Sequence, residues 1–482
     1  MTAETLSERM LARLEALGAA LQAVARQHRD ATLEVLEHEV LEQVRAAQGG
    51  LLEEVVERST PSLAPSQQRV RLDCPGCGQR AKVRDWRPRT VRTVCGTIRF
   101  ARPWYHCRGC GHGWSPADAA LGLAPRARLS VGLQGWASEL GLETVFRQGS
   151  RLLADLSGQA VSPESIRRHS QRQGAALAGA LAEAGTRVLA TREAAEAVEA
   201  APGQLLVETD GVQVHFHGGW GEVKLGLVAG YVDGELVAPS YVATRTPVEA
   251  FGPRLLAEAA RRGALEIVDW QGGRVGRGLA ILRAVTILGD GAVWIWNLAG
   301  EHFGERVEIL DYYHACEHLW TVAKALFGDP ERTRAWAEAR VDELYEHGAG
   351  PVRRALAAAT PPDPAAANEL RLARGYFQTN AARMDYPRFR ALGLPIGSGA
   401  VESLAKHLVQ RRMKRAGMRW AEPGGEALLV LLAHRASDRS LPAFVFTAPF
   451  LPRRLTPKIA KIATTPAAQS SPQRPEADSC AA

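Results

Sequence analysis

In the first sixty residues Leu11, Leu14, Leu17, Leu21 and Val24 recur at steps of three and four, which sets apolar side chains on one face of a helix. A second helical stretch, rich in Ala and Leu, spans 121 to 200. Within it, Leu152 to Gln173 holds two short amphipathic segments around Ser157-Gly158. Ser162-Pro163-Glu164 opens the second of these with a cap, a first-turn proline and an acid. This pattern fits a helix-turn-helix whose second helix carries Arg167, Arg168, His169 and Arg172, and equally an ordinary helical hairpin with a basic outer face. At Gln204 the period changes. Leu205 to Phe216, Leu225 to Val232 and Leu236 to Val242 are strand-like runs separated by Gly-rich or Asp-Gly turns, which predicts three consecutive antiparallel strands. Ala284 to Leu288 and Arg306 to Leu310 predict two more. Helix formers return from 311 to 395, broken at Thr360 to Pro364, and a last helical block opens near Val401. From about Ala448 the chain drifts to Pro, Thr, Ser and Ala, the composition of a disordered tail.

Composition narrows the class. With 482 residues, 46% hydrophobic and 23% charged, the chain matches globular averages and excludes a mainly disordered, collagen-like or disulfide-scaffold protein. The longest strongly apolar run, Ala427 to Ala433, is far short of the ~20 residues that span a bilayer, and Glu4, Glu8 and Glu15 stand where a signal peptide would be basic and then apolar. A cytoplasmic protein without a membrane partner is expected. There the seven cysteines stay reduced, so paired ones read as metal ligands. The net charge of +7 is sorted along the chain: residues 1 to 60 hold eleven acids and six bases, residues 66 to 130 thirteen bases and three acids. The second segment is a candidate phosphate-binding surface, or simply a solvated basic face.

Cys74-Pro75-Gly76-Cys77 and Cys107-Arg108-Gly109-Cys110 are two Cys-x-x-Cys knuckles, each followed by Gly. Four thiolates so paired suit one tetrahedral, structural zinc, a closed site with no position left for chemistry. The 29 residues between the knuckles exceed the usual ~15 to 20 and predict an elongated hairpin, as in a zinc ribbon. Cys95 reads as a free core thiol, and spacing identifies no partner for Cys316 or Cys480.

Three carboxylates stand out in the second half. Asp210, in Glu208-Thr209-Asp210-Gly211, interrupts an apolar strand, where an ionised acid is costly unless a cation or hydrogen bonds compensate it. Asp290 follows the apolar run Ala284 to Leu288, where a strand delivers residues to the rim of a sheet. Glu402 lies in the first turn of a helix opened by Gly397-Ser398-Gly399. Each has a plain alternative: an Asp-Gly turn for the two aspartates, a capping or dipole role for the glutamate. Downstream of Glu402, Lys406, Arg411, Arg412, Lys414, Arg415 and Arg419 occur with no acid between 403 and 421, a strip suited to backbone phosphates or a solvated helix face. Trp420 reads as a packing residue.

An acid on the first strand, one after the fourth and one on a helix beyond a helical insertion is the ribonuclease H-like order. The stretches ETDGVQVHFHGGWGEVKLG (208 to 226), LGDGAVWIW (288 to 296), ILDYYHACEHL (309 to 319) and LPIGSGAVESLAKHLVQRRMKRAGMRW (394 to 420) resemble bacterial insertion-sequence transposases of the DDE class, specifically the ISKra-type group. The resemblance covers about 66 to 440 and leaves the first helices and the tail outside. It implies an α/β fold: a ribonuclease H-like catalytic domain at 201–440 with a helical insertion at about 311–395. A zinc-ribbon-like module at 66–120 precedes it, then a helical region at 121–200 that is a candidate helix-turn-helix for DNA; the residue patterns alone mark an acidic helical region at 1–65 and a disordered tail at 441–482. Asp210, Asp290 and Glu402 are then the catalytic ligands of two Mg²⁺ (or Mn²⁺) ions, supported by Asp311 and His314 of an Asp-x-x-His signature. The implied activity is metal-dependent cleavage and strand transfer on double-stranded DNA, at element ends and target, by a homodimer or higher oligomer. Carboxylates are the hard oxygen ligands such ions need while leaving positions for substrate.

His314-Ala315-Cys316-Glu317-His318 also satisfies the His-x-x-Glu-His pattern of inverted zinc peptidases, but spacing marks no third ligand. His215 and His217 alternate along one strand and read as a polar strand face or a metal pair. The rival functions are a zinc-ribbon DNA-binding protein with an inactive catalytic domain, and a ribonuclease H-like nuclease that cuts without joining.

Overall fold

A computed structural model describes residues 8–191, 199–267, 280–282, 285–437 and 439. The expected tail and Cys480 lie outside the described residues. The chain forms two compact units, divided between Gln173 and Gly174 inside one long helix. No helix among the described residues is long and apolar enough to cross a membrane.

The first unit opens with helices α1 (Glu8–Gln27) and α2 (Leu33–Ser59), which fold back on each other. Arg9 and Arg13 of α1 pair with Glu54 and Glu53 of α2 at 2.8 and 3.0 Å, so the acidic surplus of α2 is partly answered within the hairpin. Strands β1 (Arg71–Asp73), β2 (Arg80–Thr93), β3 (Gly96–His106) and β4 (Gly113–Trp114) form an antiparallel sheet in sequence order. The stretch between the cysteine knuckles is the β2–β3 hairpin, turned at Gly96 with φ 114°, a backbone state that a side chain would strain. Helix α2 lies close on β3: the Arg99 N–H donates to Glu53 at 2.7 Å. Helices α3 (Pro116–Ala120), α4 (Val131–Glu143), α5 (Phe146–Ser157) and α6 (Pro163–Thr191) follow. Gly158 closes α5 in the left-handed conformation, the Ser165 N–H bonds the Ser162 hydroxyl at the start of α6, and Leu133, Leu153, Val161 and Ile166 share one core.

In the second unit β5 (Gln204–Phe216), β6 (Gly219–Val232) and β7 (Glu235–Thr244) form an antiparallel meander. Asp233 and Gly234, both at positive φ, make the β6–β7 turn. After helix α7 (Val248–Arg261) and a separate ribbon of β8 (Leu265–Ile267) and β9 (Ala280–Leu282), strand β10 (Val285–Gly289) joins the other edge of β5 in parallel. Helix α8 (Val293–His302) crosses over to β11 (Arg306–Leu310), which lies parallel to β10. The sheet order is β11-β10-β5-β6-β7. Strand β5 is flanked on both edges, and its run Leu205-Leu206-Val207 is buried on both faces.

Helices α9 (Tyr312–Leu326), α10 (Pro330–His347), α11 (Ala349–Ala358), α12 (Pro364–Thr379) and α13 (Tyr386–Ala391) make up the insertion. It shares one core with the sheet, in which Leu319, Leu344 and Phe377 are continuous with Leu205, Ile287 and Ile309. Helix α14 (Gly399–Leu404) then runs into a π-helical turn (Ala405–Gln410) and α15 (Arg411–Met413), and α16 (Glu422–Ala436) packs against β7.

Candidate functional site

The two cysteine knuckles adopt the same turn. In each, the first cysteine's N–H and C=O bond across the loop, Cys74 with Gln79 and Gly78, Cys107 with His112 and Gly111. Gly78 and Gly111 sit at φ 74° and 73°, which is why a glycine follows each knuckle. The four sulfurs lie within 4.8 Å of one another, with Cys74 to Cys110 at 3.6 Å and Cys77 to Cys107 at 3.5 Å. A tetrahedron with Zn–S bonds of about 2.3 Å has edges of about 3.8 Å, so the cluster has the dimensions of a structural zinc site. The backbone N–H of Cys110 draws the Cys107 thiol down, while Cys77, despite the backbone bond from Gln79, is pushed up by the Cys110 and Cys107 sulfurs, so without metal the pair shares its proton unequally. Cys95 is half-buried and outside the cluster, and Cys316 is a buried core thiol.

Asp210 stands in mid-strand, paired with Leu225, not in an Asp-Gly turn. Thr209 is in register with Gly289, so Asp290 emerges from β10 beside Asp210. Asp290 does make a turn: its Oδ1 accepts the Ala292 N–H at 2.9 Å, with Gly291 at φ 101°. Burial first, then the charges of Asp290 and Glu402, push Asp210 up to about 6, against its bond from the Gly211 N–H. Asp210 therefore feels the charges of two acids 80 and 192 residues further along the chain, though among the described residues the three carboxylates do not gather within 4.8 Å of one another. Glu402 is half-exposed and faces Lys406 at 3.7 Å, so it does not close a capping box.

Two buried acids place the Glu402 helix. Glu208, 2% exposed and on the Asp210 face of β5, accepts the Val401 N–H at 2.9 Å in the first turn of α14. Burial pushes Glu208 up to about 8, opposed by the Val401 bond and helped by the charges of Asp311 and Glu402. Asp311, 1% exposed, caps α9 by accepting the His314 N–H at 2.9 Å, and its other oxygen accepts the Ser398 N–H at 2.6 Å and the Ser398 hydroxyl. The Asp311 N–H in turn bonds Gly289 C=O at 2.8 Å. Asp311 thus ties the β10 end to the loop that opens α14. The Tyr376 hydroxyl of α12 braces the Asp290 carbonyl at 3.1 Å. Sequence reasoning singled out neither Glu208 nor Ser398 nor Tyr376; the signal for Glu208 was its two-residue spacing from Asp210 in an apolar strand.

His314 lies close enough to Asp210 to lower it, and His318 close enough to Asp290 to be raised by it. The pair belongs to the carboxylate site, and no third ligand gathers on it among the described residues. His318 packs on Tyr376 at 4.0 Å between ring centres, and burial holds it down at about 4, so it is neutral at pH 7. His215 meets Trp220 edge-on at 5.1 Å and joins no metal-sized cluster among the described residues.

The basic strip needs one correction. Arg412 is 3% exposed, its guanidinium 5.1 Å from the Trp420 ring, and burial lowers it to about 10. The π turn shifts the helical register just before it. Lys406, Arg411, Lys414, Arg415 and Arg419 form the exposed strip, and Trp420 packs as expected. On α6, Arg168 and Arg172 are exposed, whereas Arg167 and His169 are half-buried and Arg167 is held by Glu164 at 2.6 Å. In the first unit Arg71, Arg80, Lys82, Arg84 and Arg108 line an open cleft of about 760 Å³ beside the knuckles.

The model of an uncharacterised protein family, UPF0236, matches residues 27–221. That span takes in α2, the cysteine module, the helices α3 to α6 and β5 with Asp210. The chain is also 25% identical over 355 residues to the "UPF0236 protein in vanSb 3'region" of Streptococcus gallolyticus, across 71% of this chain and 72% of that protein.

Proposed function

We propose that the chain is a DNA transposase of the DDE class, which binds insertion-sequence ends and carries out strand cleavage and strand transfer with divalent metal. The observation that carries this is the environment of Asp210 in mid-β5: Asp290 follows the parallel neighbour β10, the charges of Asp290 and Glu402 both reach Asp210, and the start of the Glu402 helix is bound by Glu208 and Asp311. The sheet order, three antiparallel strands followed by two parallel ones on the far edge of the first, supports a ribonuclease H-like reading. The paired knuckles on an antiparallel sheet support a zinc ribbon.

The donor set fits Mg²⁺: three carboxylates, with Asp210 already unsettled by its neighbours' charges, and hard oxygen ligands throughout. When bound, two such ions would supply the activation of a water or 3′-hydroxyl and the stabilisation of the leaving oxygen. The protein's own residues set the geometry. Asp210 and Asp290 are fixed by strand register, Glu402 by the buried acids beneath its helix, and the exposed cations from Lys406 to Arg419 would hold phosphates beside them.

The test is incubation of the full chain with candidate element ends in Mg²⁺, followed by sequencing of cut and joined products. Asp210→Asn, Asp290→Asn and Glu402→Gln should each abolish both products, by at least about a thousandfold, while end binding persists; double variants should be no worse than single ones. A variant that still cuts at a near-normal rate removes its residue from the site, and cutting without joining leaves a nuclease.

A further inference from the structure

The tip of the β5–β6 hairpin carries an indole that nothing above uses. Trp220 keeps 65% of its surface exposed, against 43% for Trp136. A lone exposed apolar residue needs no explanation. This one is rigidly mounted and set among cations. Trp220 pairs with His215 in the hairpin, and the hairpin is clamped to the basic strip: the His217 N–H donates to Trp420 C=O at 3.0 Å, and the Trp420 N–H to His215 C=O at 3.1 Å. Beneath the tip Phe216 is fully buried, with the Arg245 guanidinium 4.5 Å from its ring. Lys414 Nζ stands 5.9 Å from the Trp220 ring centre, and Arg411, Arg415 and Arg419 are exposed on the same strip.

We infer that Trp220 is a stacking contact for an unpaired nucleobase of DNA whose backbone phosphates lie along the strip from Arg411 to Arg419. This rests on the DNA reading above. An indole face beside a phosphate-holding groove is how proteins grip single strands, because every base offers a π face while the cations track the backbone. A protein partner would also cover the ring, but docking there would leave a strip with no acid between 403 and 421 facing it. His215 lies five residues from Asp210 on β5, an odd step, so the indole opposite it stands about 17 Å along the strand and on the other face from Asp210, a contact separate from the carboxylates.

The experiment uses the full chain, a single-stranded oligonucleotide with 2-aminopurine at successive positions, and a blunt duplex of the same sequence. Wild type should quench the probe within a narrow window of positions. Trp220→Leu should lose that quenching and weaken single-strand binding about tenfold (~1.4 kcal/mol), with duplex affinity, its salt dependence and the thermal midpoint unchanged. Trp220→Tyr should retain most of both. Single-strand binding and quenching that ignore Trp220→Leu overturn the inference alone. So does an equal loss on duplex and single strand, or a change of oligomeric state in the variant, which would make the indole a contact between copies. A wild type that binds no DNA overturns the DNA reading and the inference with it.

Discussion

Glu208 shows what one buried acid costs and does. Its carboxyl takes the Val401 N–H, and both groups are sealed from water. Glu208→Leu would leave that N–H unpaired and should cost about 1–3 kcal/mol, whereas Glu208→Gln keeps an acceptor and should cost less. The pH dependence follows from the direction of the shift. Glu208 is raised to about 8 in the folded chain, above a free glutamate, so the folded state holds a proton that the unfolded state has lost. That contribution is complete below about 4.5 and is lost as pH rises toward about 8. Asp210, raised to about 6, adds the same sign over the lower part of the window. In chelator, the stability difference between wild type and Glu208→Gln should therefore shift steadily against wild type from about pH 4.5 to about 8, as read by urea unfolding at a series of pH values. A difference that is flat with pH would mean that Glu208 is ionised in the folded chain.

At the scale of elements, the knuckles were the most legible feature. Cys-x-x-Cys followed by Gly dictates a local turn with a left-handed residue, and nothing distant is needed to form it. Bringing the two turns together takes the whole β2–β3 hairpin. Metal analysis should find about one zinc per chain, lost on Cys77→Ser. The consequence should stay local, with faster proteolysis between 66 and 120 and a folded second unit. Wild-type protein purified without chelator and free of zinc would end the assignment. Strand Arg306–Leu310 has the bounds its apolar run predicts, while β6 starts at Gly219, six residues before the expected Leu225, because the Gly-rich segment ahead of it pairs with β5 all the same. Arg412 was misplaced because helical spacing assumes a steady α period, and the π turn before it breaks that period.

At the scale of the molecule, DNA affinity should come from the cleft between Arg71 and Arg108 and from the exposed strip between Lys406 and Arg419. It should fall steeply with salt, because each neutralised phosphate releases counterions. Charge reversal at Arg411 and Arg415 should weaken all sequences alike and flatten the slope of log affinity against log salt by about two; loss confined to one sequence would mean base readout. The sequence by itself determined the local features: the helix and strand runs, the knuckle turns, the run of cations without acids, and the presence of acids at Asp210, Asp290 and Glu402. Each is written in neighbouring residues, through period, turn chemistry and the cost of charge in an apolar run. Tertiary structure alone decided that β10 pairs in parallel with β5, so that Asp290 lands beside Asp210, and that Glu208 and Asp311 bind the start of the Glu402 helix. It also decided that Arg412 turns inward and Trp220 outward. The physical reason is common to all four: register, burial and the partners of a buried acid depend on chain segments up to 193 residues away, and no local pattern carries that information.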